Sequence, residues 1–262
     1  MTKELTPPQV IAALSPHVTP RRLARMQAVL AQRTRHLTAV LEELYDPHNV
    51  AACARTAEGL GLQDLHLVPH PPPKPTSRPS RDPAQTMGDL GGAPDPEAPD
   101  PDLADADLAR AVSGRAERWL DLFEHRTIET AIAHLKTTGH RVVATALSAD
   151  AIPLTALPLD RPLAIVFGNE RSGVSPTGLA LTEHRVVFPM RGFAQSFNVS
   201  VAFSLIMGQL RTRLDAELPS STWTLPPTDQ TTLLARWLES SIPHAEAILS
   251  ASSSSAAAPR RS

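Results

Sequence analysis

The stretch RVVFPMRGFAQSFNVSVAFSLIMGQL, residues 185–210, limits the fold more than any other part of the chain. It opens on a β-branched and aromatic run, Val186-Val187-Phe188. It then passes through Pro189, Gly192 and a polar loop ending at Gln195-Ser196, and enters an apolar helix after Asn198. Val199, Ala202, Phe203 and Ile206 recur at helical spacing and Val201, Leu205 and Met207 fill the flanks, so a helix buried nearly all round is expected. A strand that leads through a polar loop into the start of a buried helix can hold a ligand, because first-turn N–H groups lack helical partners. Ser196 and Asn198 stand at that spot, where either can equally serve as an ordinary helix cap.

Upstream, short apolar runs alternate with helical patterns. Residues 36–44, 63–68, 119–123, 141–148 and 161–168 read as strands. Residues 49–60, stopped by Gly59 and Gly61, and 127–138, stopped by Gly139, read as helices. Such alternation predicts an α/β fold, a parallel sheet with helices on both faces. Ligands of these sheets lie at the C-terminal strand ends, where Thr145, Gly168 and Phe188 fall on independent strands. Residues 20–33 form a further helix, with Leu23, Met26, Val29 and Leu30 on one side. Arg21, Arg22, Arg25 and Arg33 lie on the other, and Arg35 follows. A run of arginines is either a solvated face or a phosphate-binding one, since the guanidinium fork suits phosphate oxygens.

The main domain therefore spans 20–215. Residues 1–19 read as a flexible arm with room for one short helix, and 216–245 as a helical extension with Leu233, Leu234, Trp237 and Leu238 on one stripe. Residues 246–262 read as a disordered low-complexity tail. Residues 69–107 interrupt the pattern with eleven of the 26 prolines, and too little apolar surface to offset the entropy of ordering, so a disordered insertion is expected. The net charge of −2 hides an asymmetry: residues 82–107 carry eight of the 27 acids and no base, which leaves 19 acids against 25 bases elsewhere. A basic body with an acidic appendage can attract phosphate. Cys53 is the single cysteine, so no intrachain disulfide or cysteine metal cluster forms, and a reducing cytoplasm is the expected setting. In its Ala-rich helix it reads as a small buried residue. No run approaches the ~20 apolar residues of a membrane span, and no metal-ligand spacing stands out, so neither membrane nor metal is expected.

Three patterns then combine. Asn49, Arg55 and Ala57 fit N-x-x-x-x-x-R-x-A. Gly168, Glu170 and Gly173 fit G-x-E-x-x-G after an apolar strand. Pro189, Met190, Gly192, Ser196, Asn198, Val199, Ser200 and Ala202 fit P-M-x-G-x-x-x-S-L-N-V-S-x-A, with Phe197 in place of the Leu. Together they resemble, in order, the three motifs of the SpoU, or TrmH, family of RNA ribose 2′-O-methyltransferases of the SPOUT class.

That resemblance implies a C-terminal trefoil knot, S-adenosylmethionine as methyl donor, and a homodimer with the cofactor site near the subunit interface. Carried over by position, the cofactor pocket is Thr145, Leu147, Gly168, Phe188, Met190 and Phe197. The catalytic region is Asn49, Arg55, Glu170, Ser196 and Asn198. Arg55 is favoured as a charge stabiliser over a base, because arginine stays protonated, though the base role remains open. RNA contacts are expected at Arg21, Arg22, Arg25, Arg33 and His48. Within the family the likeness is nearest to enzymes that act on the D-loop guanosine of tRNA. Two alternatives stand beside it: a ribosomal RNA enzyme of the same family, and a non-catalytic RNA-binding protein that keeps the fold.

Overall fold

Three apolar runs become the centre of a sheet. In the computed structural model, which describes residues 5–70 and 117–256, every residue of β1 (Leu37–Glu42), β2 (Asp64–Val68) and β6 (Leu163–Phe167) is buried. Parallel strands covered on both faces show this pattern. With β3 (Asp121–Glu124), β4 (Arg141–Thr145), β5 (Ile152–Pro153) and β7 (His184–Val187) they form one sheet of order β3-β2-β1-β6-β4-β7-β5, in which all pairs are parallel. The expected parallel α/β architecture is therefore present. Of the segment 69–107, expected to be disordered, residues 71–107 lie outside the described residues.

The helices run in chain order: α1 (Pro7–Leu14), α2 (Pro20–Leu30), α3 (Pro47–Gly59), α4 (Ile128–Thr137), α5 (Pro176–Leu181), α6 (Val199–Glu217), α7 (Ser220–Trp223), α8 (Pro227–Ser241) and α9 (Ala245–Ala256). Side chains alternate across the sheet, so β6 sends Leu163, Ile165 and Phe167 to one face and Ala164 and Val166 to the other. The first face packs against α3 and α6 through Val50, Cys53, Ala54, Ala57, Phe203, Ile206 and Met207. The second packs against α4 through Ile128, Ala131, Ile132 and Leu135. Small residues at 54 and 57 let α3 approach closely, as its alanine content suggests. Cys53 is fully buried, and desolvation pushes its thiol up to about 12, so it is inert.

Three expectations need correction. Helix α6 is not buried all round: Val201 is 45% exposed, and Ser204 also faces outward, because a helix laid on a sheet hides only one side. Residues 7–14 are not a loose arm. Val10 and Leu14 are buried in a separate cluster with Met26 and Leu30 of α2 and Leu233, Leu234, Trp237 and Leu238 of α8. Nor does order end at 246, since α9 continues to Ala256 with Ile248 and Leu249 against that cluster. The partners of these short apolar stripes lie some two hundred positions away, so neither end discloses them locally. Residues 257–262 of the expected tail lie outside the described residues.

Candidate functional site

A pocket of about 610 Å³ opens where β4, β6 and β7 end and α6 begins. Phe167, Val186, Phe188 and Ile206 give it an apolar floor, and Asn169 to Gly173 and Gln195 to Asn198 supply polar walls. Thr145, Leu147, Gly168, Phe188, Met190 and Phe197, the positions expected to hold a cofactor, all line it. Phe197 meets Phe188 edge-on with ring centroids 5.9 Å apart, so the aromatic at 197 thickens one wall. Thr145 donates through Oγ1 to the Val166 carbonyl at 3.0 Å, which ties the ends of β4 and β6 together.

The loop after β6 explains its glycines. The Gly173 amide donates to the Asn169 carbonyl at 2.8 Å, and Gly173 has φ +70°, a region costly for other residues. The loop therefore folds back on Gly168. A Cβ there would overlap the Val174 amide nitrogen and the Gly173 carbonyl, so only glycine fits. Asn169 locks the loop: its Oδ1 accepts from the Arg171 amide at 2.8 Å, and its Nδ2 donates to the Glu43 carbonyl at 2.6 Å.

That closure delivers Glu170. Its carboxylate accepts from Asn49 Nδ2 at 2.7 Å and from the Tyr45 amide at 3.1 Å. Partial burial opposes ionisation, but these two donors together with the backbone amides of Glu170 and Asp46 outweigh it and hold the carboxyl below its ordinary value. The structure thus joins Asn49 of α3 to Glu170 at the pocket wall. Asn198 caps α6, accepting from the Ser200 amide at 2.9 Å and from Ser200 Oγ at 2.6 Å. The capping role left open by the sequence is therefore occupied, while Ser196 and Asn198 also line the pocket. Arg55 does not line it. It lies exposed on α3, in no ion pair among the described residues, on the helix whose Thr56 meets Ser204 of α6 at 3.2 Å.

Of the expected RNA contacts, Arg21, Arg22 and Arg25 lie exposed on α2, without ion pairs among the described residues, and His48 is exposed in the first turn of α3. Arg33 is a correction. Helix α2 ends at Leu30, and the next turn rotates Arg33 inward to full burial. There it donates to the Leu62 carbonyl and to Glu58, both at 2.7 Å, and lies over the Trp237 ring. It cannot touch RNA. Arg35 also leaves the basic run, bridging Asp64, Asp121 and Asp229.

Sequence reasoning missed Asn169, Glu42, Tyr45 and Arg171. Asn169 directly follows the glycine that ends β6, a place where a side chain able to mimic a turn is informative. Glu42 is the first of two adjacent acids at the end of an apolar strand; it is buried and accepts from the Ser175 amide at 3.0 Å, fixing the start of α5. Among the described residues no group of three or more His, Cys, Asp or Glu is arranged to hold a metal ion. No helix among them is long and apolar enough to cross a membrane.

Residues 98–208 match the SpoU rRNA Methylase family. A tRNA (guanosine(18)-2′-O)-methyltransferase of Escherichia coli K12 is 34% identical over 190 residues, covering 72% of this chain and 69% of the relative. The fold superposes on the TrmH/SpoU tRNA modifying enzyme of A. aeolicus with a TM-score of 0.63 at 23% identity, covering 85% of this chain and 98% of that one. It also superposes on the SpoU methyltransferase AviRb of Streptomyces viridochromogenes, solved in complex with the cofactor AdoMet. The TM-score there is 0.51 at 19% identity, and 71% of this chain and 60% of that one are covered. Motifs, sheet order and a relative of this identity over most of both sequences agree: the chain belongs to the SpoU methylase family.

Proposed function

We propose that this protein transfers a methyl group from S-adenosylmethionine to the ribose 2′-hydroxyl of the D-loop guanosine in tRNA. The carrying observation is the pocket at the ends of β4, β6 and β7 with ionised Glu170 in its wall. The Escherichia coli relative, a tRNA (guanosine(18)-2′-O)-methyltransferase, supports the substrate, and the AdoMet-bound AviRb supports the donor.

The pocket fits such a donor. Its volume, about 610 Å³, lies within the usual range for small-molecule sites of roughly 300–1,000 Å³. Apolar side chains suit an adenosine face, and the Glu170 charge complements a sulfonium. When bound, the donor supplies a methyl group activated by positively charged sulfur. The chain supplies geometry and charge. Phe188, Met190 and Phe197 would sandwich the donor, and Gly168 with Thr145 would offer backbone groups at its edge. Asn49, Glu170, Ser196 and Asn198 would align the ribose, and alignment of this kind supplies much of the rate of a two-reactant step. Arg55, permanently protonated, would face a phosphate and stabilise the negative charge that develops on the 2′-oxygen as the hydroxyl passes its proton to water.

Arg55 stands outside the pocket of its own chain. A homodimer that sets Arg55 of one protomer beside the pocket of its partner is therefore part of this reading, and exposed Val201 and Ser204 on α6 give a face for it. A trefoil knot over 163–210, where the loop after β6 and the segment from β7 into α6 enclose the pocket, and a cytoplasmic location complete it. Arg21, Arg22 and Arg25 would carry the tRNA backbone.

The test is methyl transfer from labelled donor to unmodified tRNA and ribosomal RNA transcripts, with nucleoside analysis. A 2′-O-methylguanosine in the D-loop is expected. Transfer only to ribosomal RNA, or donor binding without transfer, refutes the substrate assignment.

A further inference from the structure

We propose that Tyr45 and Arg171 form a stacking platform for a nucleobase of the RNA, next to the ribose that is methylated; this rests on the function proposed above. Tyr45 is 62% exposed, which is unusual for a ring this large on a short connection. Its place is fixed from two sides. Its amide donates to Glu170 at 3.1 Å, and the Arg171 guanidinium lies 5.1 Å from its ring centroid. Arg171 is itself positioned by Asn169 through its amide, and it lines the pocket.

The ring is thus clamped on one face by a cation and open to water on the other, beside the carboxylate assigned to ribose alignment. Unpaired bases are recognised by this combination of an aromatic plane and an arginine plane. The guanidinium adds attraction for the phosphate that follows the base. A core role does not account for the ring, since neither hydrophobic face of the sheet includes it. The Glu170 contact uses only the Tyr45 backbone, so replacing the side chain leaves that hydrogen bond intact.

Tyr45 is the chain's single tyrosine. Biosynthetic 3-fluorotyrosine therefore gives one ¹⁹F resonance that reports on this ring alone. Saturating unmodified tRNA is expected to shift it in wild-type protein, while S-adenosylhomocysteine alone leaves it in place. Tyr45→Ala is expected to raise KM for tRNA by about tenfold, the size of one lost base stack. Its kcat should stay within about twofold of wild type by the same reasoning, with Tyr45→Phe restoring KM. A resonance unmoved by tRNA in protein that methylates it, or a Tyr45→Ala defect confined to kcat, overturns the platform and leaves the function standing. Failure of wild-type protein to methylate tRNA in the same samples overturns the function, and the platform with it.

Discussion

Replacing Gly168 by Ala should dismantle the pocket while leaving the sheet intact. The added methyl would overlap the Val174 amide and the Gly173 carbonyl, which are backbone atoms that cannot swing aside. The added carbon would lie 2.0 Å from the Val174 nitrogen and needs about 3.5 Å, so the loop must retreat by roughly 1.5 Å. Three hydrogen bonds hold that loop: Gly173 to Asn169, Arg171 to Asn169, and Asn169 to Glu43. At about 1 kcal/mol net each, with partial relaxation, the loss is about 2–3 kcal/mol. In a chain of this size that lowers the melting temperature by about 5–10 °C. Every residue from Gly168 to Val174 lines the pocket, so donor affinity should fall more steeply than stability, by at least about tenfold for a shift of this size. β6 itself is packed by Leu163, Ile165 and Phe167, so far-ultraviolet circular dichroism should be unchanged. Thermal melts and donor titration by calorimetry are the assays. A variant that melts within about 2 °C of wild type and binds the donor equally would refute the reading of the loop as a rigid closure.

Arg55→Ala is expected to leave donor affinity unchanged and to lower transfer by about 100-fold or more, as loss of one transition-state charge contact does; equal losses in both measurements would remove Arg55 from the chemistry. Replacing Arg21, Arg22 and Arg25 together by Ala should change stability by less than about 0.5 kcal/mol and reduce the salt slope of tRNA binding by about three. Arg33→Ala should do the reverse, destabilising by about 2–3 kcal/mol through the cavity left by the fully buried guanidinium and its lost bonds to the Leu62 carbonyl and to partly exposed Glu58, with tRNA affinity per folded molecule unchanged. Acid sensitivity should centre on His66. Burial and the neighbouring His125, His134 and His140 push it down to about 3, below its ordinary 6.5. A base with a lowered folded value contributes stability above the unfolded value and loses it as pH falls. Unfolding free energy should therefore drop between pH 6.5 and 3 with a slope approaching about 1.4 kcal/mol per unit, and His66→Gln should flatten that slope. Parallel curves for the two proteins in urea titrations would rule this out.

Much of the molecule was legible because the rules that apply to it are local. Short apolar runs marked β1, β2 and β6, and turn glycines at 61 and 139, both at positive φ, marked where helices stop. Thr145, Gly168 and Phe188 were readable because ends of parallel strands converge by topology, wherever the loops go, whereas Leu147, Met190 and Phe197 followed from the family resemblance. The two residues of β5 and the six of α5 were missed. Elements so short are held by neighbours: β5 pairs with β7, and α5 is fixed by Glu42 from a distant strand. Asn169, Tyr45 and Arg171 were missed for the same reason. Their roles arise when the loop after β6 touches the turn after β1, a contact between positions well over a hundred residues apart.

The arginines show how far composition can mislead. Five of them follow one another between residues 21 and 35, and a sequence cannot tell one guanidinium from the next. The fold divides them by where α2 ends. Those on the helix keep its polar face and stay in water. Those past Leu30 turn under it. Arg33 then meets Glu58 and Trp237, and Arg35 meets Asp64 of β2, Asp121 of β3 and Asp229 of α8. Only arginine offers enough donors in a fixed fork to serve three carboxylates from three elements at once. Asp121 also binds Arg236, so the sheet edge and the terminal helices share one charge network. The basic run therefore does two kinds of work. Its second part fixes the helical cluster to the sheet, and in doing so it sets the direction in which the first part presents its charge to solvent.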